Sequence, residues 1–358
     1  MWLMQRTDAA GGVTVIVDAL VDFLADRRDW RVRKVVPRSQ ADSSVFRRLP
    51  RWRRALGHAA AAARLAAALL RERPDLVVTF TPAYGAAAAW LARRYGGRSV
   101  LTHHLQRDAI RPGASRMVTW GERRDLFDAT IACSASVAAD FPETRRMRVV
   151  VNGVPDVRER SLPGVDRAWL ARLHGVPEGG RLAFAAGRLA PVKGHEVVLD
   201  ALPAAPDWRF VIAGDGPARA DLAARAVRLG VADRFHLLGR VEGPVVWSLM
   251  RLADAYVQPS RAEGLSLALL EAFAMGAVVL ASPIPPNREA VEPHDAGLLP
   301  SEAGAAAWAA ALSRLVVESD LAPRVRTHAR AAFESTFHQQ RMLEGYEGVM
   351  VEVLERSR

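Results

Sequence analysis

Short apolar runs alternate with stretches of helical spacing along this chain, and they do so in two successive series. The first series opens with Trp2–Gln5, a glycine turn at Gly11-Gly12, and then Val13–Ala25, whose apolar residues recur near the 3.6-residue period of a helix. Further strand-like runs follow at Val32–Val36, Leu76–Thr79, Ser99–Thr102, Ala129–Ala132 and Arg148–Val151, with helical segments over 55–73, 84–95 and 134–141. Repeated strand-helix units of this kind predict an α/β fold with a mostly parallel sheet covered on both faces. Ligands of such sheets bind beyond the carboxyl ends of the strands, where helix N-termini present peptide N–H groups to an anion.

The series is interrupted at Asn152-Gly153-Val154-Pro155, a turn signal followed by the charged stretch 156–167. It then resumes with strands at Leu182–Ala185, Arg209–Ala213, Arg234–Leu237, Ala255–Gln258 and Val278–Ala281, and helices over 195–202, 217–229, 244–252, 265–275 and 304–318. A length of 358 residues suits two cores better than one. The expected organisation is therefore a doubly wound domain over 1–154, a second over 155–336, and an amphipathic C-terminal segment, 337–358, long enough as a helix to pack back across the junction.

The net charge of +10 sits entirely in the first part of the chain: residues 1–150 carry +12 and residues 151–358 carry −2. Arg47, Arg48, Arg51, Arg53 and Arg54 form a basic knot around Trp52, just before the alanine-rich stretch 55–70. That pattern fits an anionic surface, and residues 47–70 are a candidate for docking on anionic lipid. An RNA-binding protein would interleave aromatic residues with its arginines. Aromatics make up only 7% of the chain and no ribonucleoprotein signature is present, so no nucleic-acid partner is expected. The single cysteine, Cys133, forms no intrachain disulfide and points to a reducing compartment. No apolar run reaches the ~20 residues of a membrane span, and Met1–Gly12 lacks the plan of an export signal. A cytoplasmic protein, at most peripheral at the inner face of the membrane, is expected.

Two clusters at strand ends carry chemistry. Gly187-Arg188-Leu189 and Lys193-Gly194 follow the run Leu182–Ala185, and Arg188 and Lys193 are near enough in sequence to address one diphosphate. The chain has 47 arginines and two lysines, so lysine at 193 points to a need for a compact point charge, against the plainer reading of a tolerated surface residue. The second cluster, Glu263-Gly264-Leu265-Ser266, leads into a helix that carries Glu271 eight residues after Glu263. Free N–H groups near 264–267 would take a phosphate, and two carboxylates would hold hydroxyls of a sugar or ribose. Taken alone, two glutamates at this spacing are more often solvated.

Together these pieces resemble the retaining glycosyltransferases of family 4. The matching residues run in the family's order: Gly11-Gly12, His104 after Thr102-His103, Asn152-Gly153-Val154, Gly187-Arg188-Leu189, Lys193-Gly194, Gly214-Asp215-Gly216, Gly239-Arg240-Val241, and Glu263 with Glu271. The resemblance implies the GT-B fold of two facing Rossmann-like domains with parallel sheets and a C-terminal crossover helix. It also implies transfer of a hexose-type sugar from a nucleoside-diphosphate sugar to a glycan, lipid-linked or small-molecule acceptor, in cell-envelope glycan, lipopolysaccharide or natural-product biosynthesis. By the same resemblance Arg188 and Lys193 neutralise the donor diphosphate. Gly11, Gly12, Gly187, Gly264, Leu265 and Ser266 complete its cradle, Arg240 and Val241 receive the base, Glu271 holds the ribose, and Glu263 and His104 address the transferred sugar. No Asp-any-Asp triplet is present for a divalent ion, so a metal-independent reaction without a cofactor is expected, with two cationic side chains in the metal's place. The chain departs from the family pattern at Thr14, Pro155 and Ser266, and at Pro285-Pro286-Asn287, which replaces a glycine-rich turn before Glu289. Rival readings are a basic RNA- or membrane-surface-binding protein and a nucleotide-sugar epimerase of the same fold. A nicotinamide enzyme is disfavoured by Arg219 after Gly214-Asp215-Gly216, and a serine hydrolase by the lack of a Gly-any-Ser-any-Gly motif.

Overall fold

The strand-like runs form strands in the computed structural model, which describes residues 1–4, 12–27, 29–35, 51–80, 82–107 and 119–356. They belong to two units, Met1–Val151 with Met342–Arg358, and Asn152–Arg341. In the first unit β1 (Trp2–Met4), β2 (Arg33–Val35), β3 (Leu76–Thr79), β4 (Arg98–His103), β5 (Ala129–Ala132) and β6 (Met147–Val149) pair in parallel in the order β2-β1-β3-β4-β5-β6. The helices between them are α1 (Gly12–Ala25), α2 (Arg51–Glu72), α3 (Pro82–Arg94) and α4 (Ala135–Ala139). Every residue of β3 and β5 is buried, as a parallel strand covered on both faces requires.

Leu65 and Leu69 of α2 pack against Val77 of β3 and against Ala88 and Ala92 of α3. These two leucines of the segment proposed for lipid docking thus turn to the protein's own core. The basic knot from Arg47 to Arg54 lies outside the described side chains. Among the described residues no helix is long and apolar enough to cross a membrane.

In the second unit β7 (Arg181–Ala186), β8 (Trp208–Ala213), β9 (Phe235–Gly239), β10 (Ala255–Gln258) and β11 (Val279–Ala281) form a parallel sheet in the order β11-β10-β7-β8-β9. Its helices are α5 (Arg167–His174), α6 (His195–Ala201), α7 (Arg219–Arg228), α8 (Gly243–Leu252), α9 (Leu267–Ala274), α10 (Pro285–Val291), α11 (Ala305–Val317) and α12 (Leu321–Ala332); α13 (Gln339–Glu355) ends the chain. The core gathers Trp208 and Phe210 of β8, Trp308 of α11 and Val325 of α12 around the alanines of β7.

Two helices go beyond the sequence reading. α12 has no strand beside it in the repeat, and α10 begins at Pro285-Pro286, where the N–H groups that proline lacks have no intrahelical acceptor in any case. The unit boundaries fall at 151/152 and 341/342, against 154/155 and 336/337 in the sequence reading. The reason is local: Val154 N–H donates to Phe337 O at 3.0 Å and Gln339 N–H to Val154 O at 2.8 Å, so the turn after β6 pairs with the residues that precede α13.

Candidate active site

The second sheet is wound in two directions. From β7 the chain runs out to β8 and β9 on one side, then returns to lay β10 and β11 on the other. By the general rule for such sheets, a ligand crevice is expected at the carboxyl ends of β7 and β10, where the winding reverses. Gly187 to Gly194 lies beyond β7, and Pro259 to Ser266 lies beyond β10.

Backbone contacts join these two loops. Lys193 closes a single 3-10 turn, Pro191–Lys193, and Gly194 follows at φ +63°, where a Cβ would run into the carbonyl oxygen of Pro259. Arg261 N–H donates to Val192 O at 2.8 Å. With the loops held this close, Lys193 Nζ lies 2.6 Å from Glu263 Oε1, a partly buried ion pair across the crevice. Arg188 is exposed on the same loop, its guanidinium with no ion-pair partner among the described residues. On the other flank Gly214 packs so tightly on Gly187 that a Cβ there would strike the Gly187 carbonyl oxygen, and Gly214 N–H donates to Gly239 O at 2.7 Å. Arg240, exposed, and Val241, partly buried, leave β9 at that same edge.

Beyond β10 the chain enters α9 through Gly264, Leu265 and Ser266, all buried. Ser266 caps the helix in an extended conformation without a side-chain bond to the first turn, and the first intrahelical bond is donated by Leu270 N–H to Ser266 O. The amides of residues 266–269 are thus outside the helical ladder, at the positive end of the dipole. Asn152 Nδ2 donates to Leu265 O at 2.9 Å, fixing the peptide that enters the helix. Behind the loop lies a buried polar network. Asn287 Nδ2 donates to Ser282 O, Asn287 Oδ1 accepts from Gln258 Nε2 at 3.2 Å, and Ser282 Oγ donates to Ser260 O at 2.5 Å. Glu271 lies on α9, and burial pushes its pKa up to about 7, opposed by a hydrogen bond from the Trp247 side chain. Burial also drives the Tyr256 phenol well above its ordinary value, reinforced by the charges of Glu271 and then Glu263, so both carboxylates lie near this β10 tyrosine.

In the first unit the adjacent histidines separate cleanly. His103 ends β4 with its side chain buried, 3.1 Å from Glu122 Oε1 and stacked on Phe141 at 3.9 Å between centroids. Thr144 Oγ1 donates to the same Glu122 oxygen at 2.9 Å. His104 follows the strand and stacks on Phe80. Burial, and then the neighbouring His103, lower its pKa to about 4, so it is neutral at physiological pH. Gly12 opens α1 beyond β1, the strand flanked by β2 and β3 where the first sheet reverses direction; Gly11 lies outside the described residues.

The second unit thus gathers Lys193, Glu263, Glu271 and the amides around Ser266 at the carboxyl ends of β7 and β10, with Arg188 on the loop after β7 and Arg240 and Val241 farther along the same sheet edge. His104 and Gly12 belong to the first unit. Trp247, Tyr256 and the Asn287 network were not anticipated. Only the departure at Pro285-Pro286-Asn287 marked that place in the sequence.

Comparison with known proteins fits this geometry. The model of the glycosyl transferases group 1 family matches residues 170–332, and the Glycosyltransferase Family 4 model matches residues 10–158. The D-inositol 3-phosphate glycosyltransferase of Jonesia denitrificans is 32% identical over 222 residues, 55% of this chain and 52% of that one. The lipopolysaccharide core biosynthesis mannosyltransferase LpsB of Rhizobium meliloti is 32% identical over 169 residues, 44% of this chain and 46% of that one. The chain thus spans about half the length of the curated relatives it matches. Among solved structures, that of Anabaena HepE in complex with UDP-glucose superposes with a TM-score of 0.82 at 18% identity, covering 98% of this chain and 99% of that one. With family matches on both units and this fold, the chain belongs to the group 1, family 4 glycosyltransferases and has the GT-B fold.

Proposed function

We propose that the chain transfers a hexose-type sugar from a nucleoside-diphosphate sugar to an acceptor hydroxyl, with retention of configuration and without a metal ion. The observation that carries this reading is the Lys193–Glu263 pair at the reversal point of the second sheet, beside the unladdered amides of α9. An ammonium, a guanidinium from Arg188 and the positive end of a helix supply the charge that a departing nucleoside diphosphate needs. Lys193 would be shared between Glu263 and the diphosphate. Glu263, acceptor-only when ionised, would hold hydroxyls of the sugar, and Glu271 those of the ribose. His104, neutral, would donate to the sugar as well. In the reaction the bond from the anomeric carbon to phosphate oxygen breaks, the acceptor oxygen bonds that carbon on the same face, and the acceptor's proton passes to the departing phosphate.

The relatives act, by their names, on inositol phosphate and on lipopolysaccharide core, and HepE is seen with UDP-glucose. We carry over from them only the class: a uridine or related nucleoside-diphosphate sugar as donor, and a hydroxyl of an envelope glycan, lipid-linked or small-molecule acceptor. The test is NMR of the product formed from an α-linked donor. An α-glycoside supports retention, and a β-glycoside would overturn it.

A further inference from the structure

We propose that Asn152 is a positioning residue for the donor: through the carbonyl of Leu265 it turns the N–H of Ser266 toward the diphosphate of the bound sugar nucleotide. The diphosphate as occupant rests on the function proposed above; the hold on Leu265 does not.

Asn152 is the first residue of the second unit, and only 3% of its surface is exposed. Its Nδ2 lies 2.9 Å from Leu265 O, 113 residues along the chain. No other donor reaches that buried carbonyl among the described residues, because the helical ladder of α9 begins one residue later, with Leu270 N–H on Ser266 O. A carbonyl only accepts, so the amide of Asn152 must present its NH2 group there; the flipped amide would set two oxygens against each other. The base of the side chain is fixed as well. Gly153 lies so near the backbone of His338 that a Cβ would stand 2.8 Å from the His338 carbonyl oxygen, and Val154 donates to Phe337 O and accepts from Gln339 N–H.

The effect on Ser266 follows from the peptide bond. Leu265 C=O and Ser266 N–H belong to one planar unit, and with no cis peptide among the described residues they point in opposite directions. Holding the oxygen toward Asn152 therefore directs the N–H away from it. That N–H precedes the first turn of α9, has no acceptor among the described residues, and stands at the positive end of the helix dipole. An anion is the acceptor such an amide takes best. Without the Asn152 bond, a half-turn of this peptide would present the Leu265 oxygen, the wrong end of the dipole, to the phosphate. The direction of one phosphate-binding amide is thus set from the point where the chain enters the second unit.

The test uses the full chain labelled with ¹⁵N-serine, its Ser266 signal assigned by loss in Ser266→Ala, together with UDP, GDP, ADP and TDP and their nucleosides. In the wild type the diphosphate that binds should move the Ser266 amide proton downfield, as a new bond to a charged oxygen does, and its nucleoside should not. Asn152→Ala should lower the affinity for that diphosphate about tenfold, leave the affinity for the nucleoside unchanged, and abolish the downfield move. Asn152→Leu, which fills the space without supplying a donor, gives the same comparison should Asn152→Ala fail to fold. A diphosphate that binds the wild type without moving Ser266 would overturn the proposal and leave the donor class standing. Diphosphate and nucleoside weakened alike would overturn the positioning role and make Asn152 a support of the fold alone. Binding of none of the four would overturn the donor class, and the aim of Ser266 with it.

Discussion

At Glu271 burial raises the carboxyl pKa to about 7, against the pull of the Trp247 hydrogen bond. The unfolded chain releases the same proton near the ordinary glutamate value of about 4.3. Between these two values the folded protein binds more protons than the unfolded one, so this group's contribution to stability falls as pH rises from about 4.3 to about 7 and then levels off. Below that window both states are protonated and the group is neutral to stability. Glu271→Gln, uncharged at every pH, should therefore melt higher than wild type at pH 8, by an energy of at most about 4 kcal/mol, and come within about 1 kcal/mol of it at pH 4.5. Thermal melts at the two pH values check this; equal differences at both would show that the carboxyl is not held in its acid form by burial. The same substitution should weaken nucleotide binding, since a carboxylate that holds a vicinal diol accepts two hydrogen bonds where an amide oxygen accepts them less strongly. On the proposed reading the cost to stability and the gain in binding would belong to one side chain.

Among the elements, the loop between β10 and α9 depends on a helix that follows it. Asn287 of α10 uses its amide to tie Gln258 at the end of β10 to Ser282 just past β11, and Ser282 in turn holds the Ser260 carbonyl. Asn287→Ala leaves the buried Gln258 Nε2 without its acceptor and takes one hydrogen bond from Ser282 O, which keeps the one from Ile284 N–H, and should cost about 2 kcal/mol, a fall in Tm of roughly 4–8 °C. Nucleotide affinity measured well below that Tm should fall as well, because the loop carrying Glu263 is released; an unchanged affinity would make the network a support of the core alone. The strands of both sheets were legible because strands such as β3 and β8 are buried on both faces and read as apolar runs that local composition does not hide. Lys193 stood out against 47 arginines, and the spacing of Glu263 and Glu271 placed one in a loop and the other on the helix after it. Asn287 and Trp247 did not stand out. The role of Asn287 comes from a contact across 29 residues, with Gln258, and a single sequence gives no measure of such distances. α10 was hidden for a different reason: a proline pair reads as a break until it is seen to fill the first helical positions, where no N–H is needed.

For the whole molecule the question is which anion the charge serves. The first 150 residues carry +12 and the remainder −2, so net charge alone would send a polyanion to the first unit. The candidate site around Lys193 lies instead in the near-neutral second unit, where Lys193 is held by Glu263. The two assignments separate in one measurement: thermal melts of the full chain with UDP, GDP, ADP and TDP, each with and without EDTA, alongside Lys193→Ala. A ligand at a hundred times its Kd adds about 2.7 kcal/mol to the unit that holds it, roughly 5–10 °C for a unit of this size. Two units can melt in two steps, so the signal expected is a rise in the transition of Asn152–Arg341 with one of the four nucleotides. If Lys193, Arg188 and the α9 amides supply the positive charge, as proposed, EDTA should leave that rise intact and Lys193→Ala should remove most of it. Loss of the rise on chelation, restored by magnesium, would return a metal ion to the site. No rise with any nucleotide, with a rise given by RNA or anionic vesicles, would make the basic first unit the functional surface and overturn the assignment of the crevice to a sugar nucleotide.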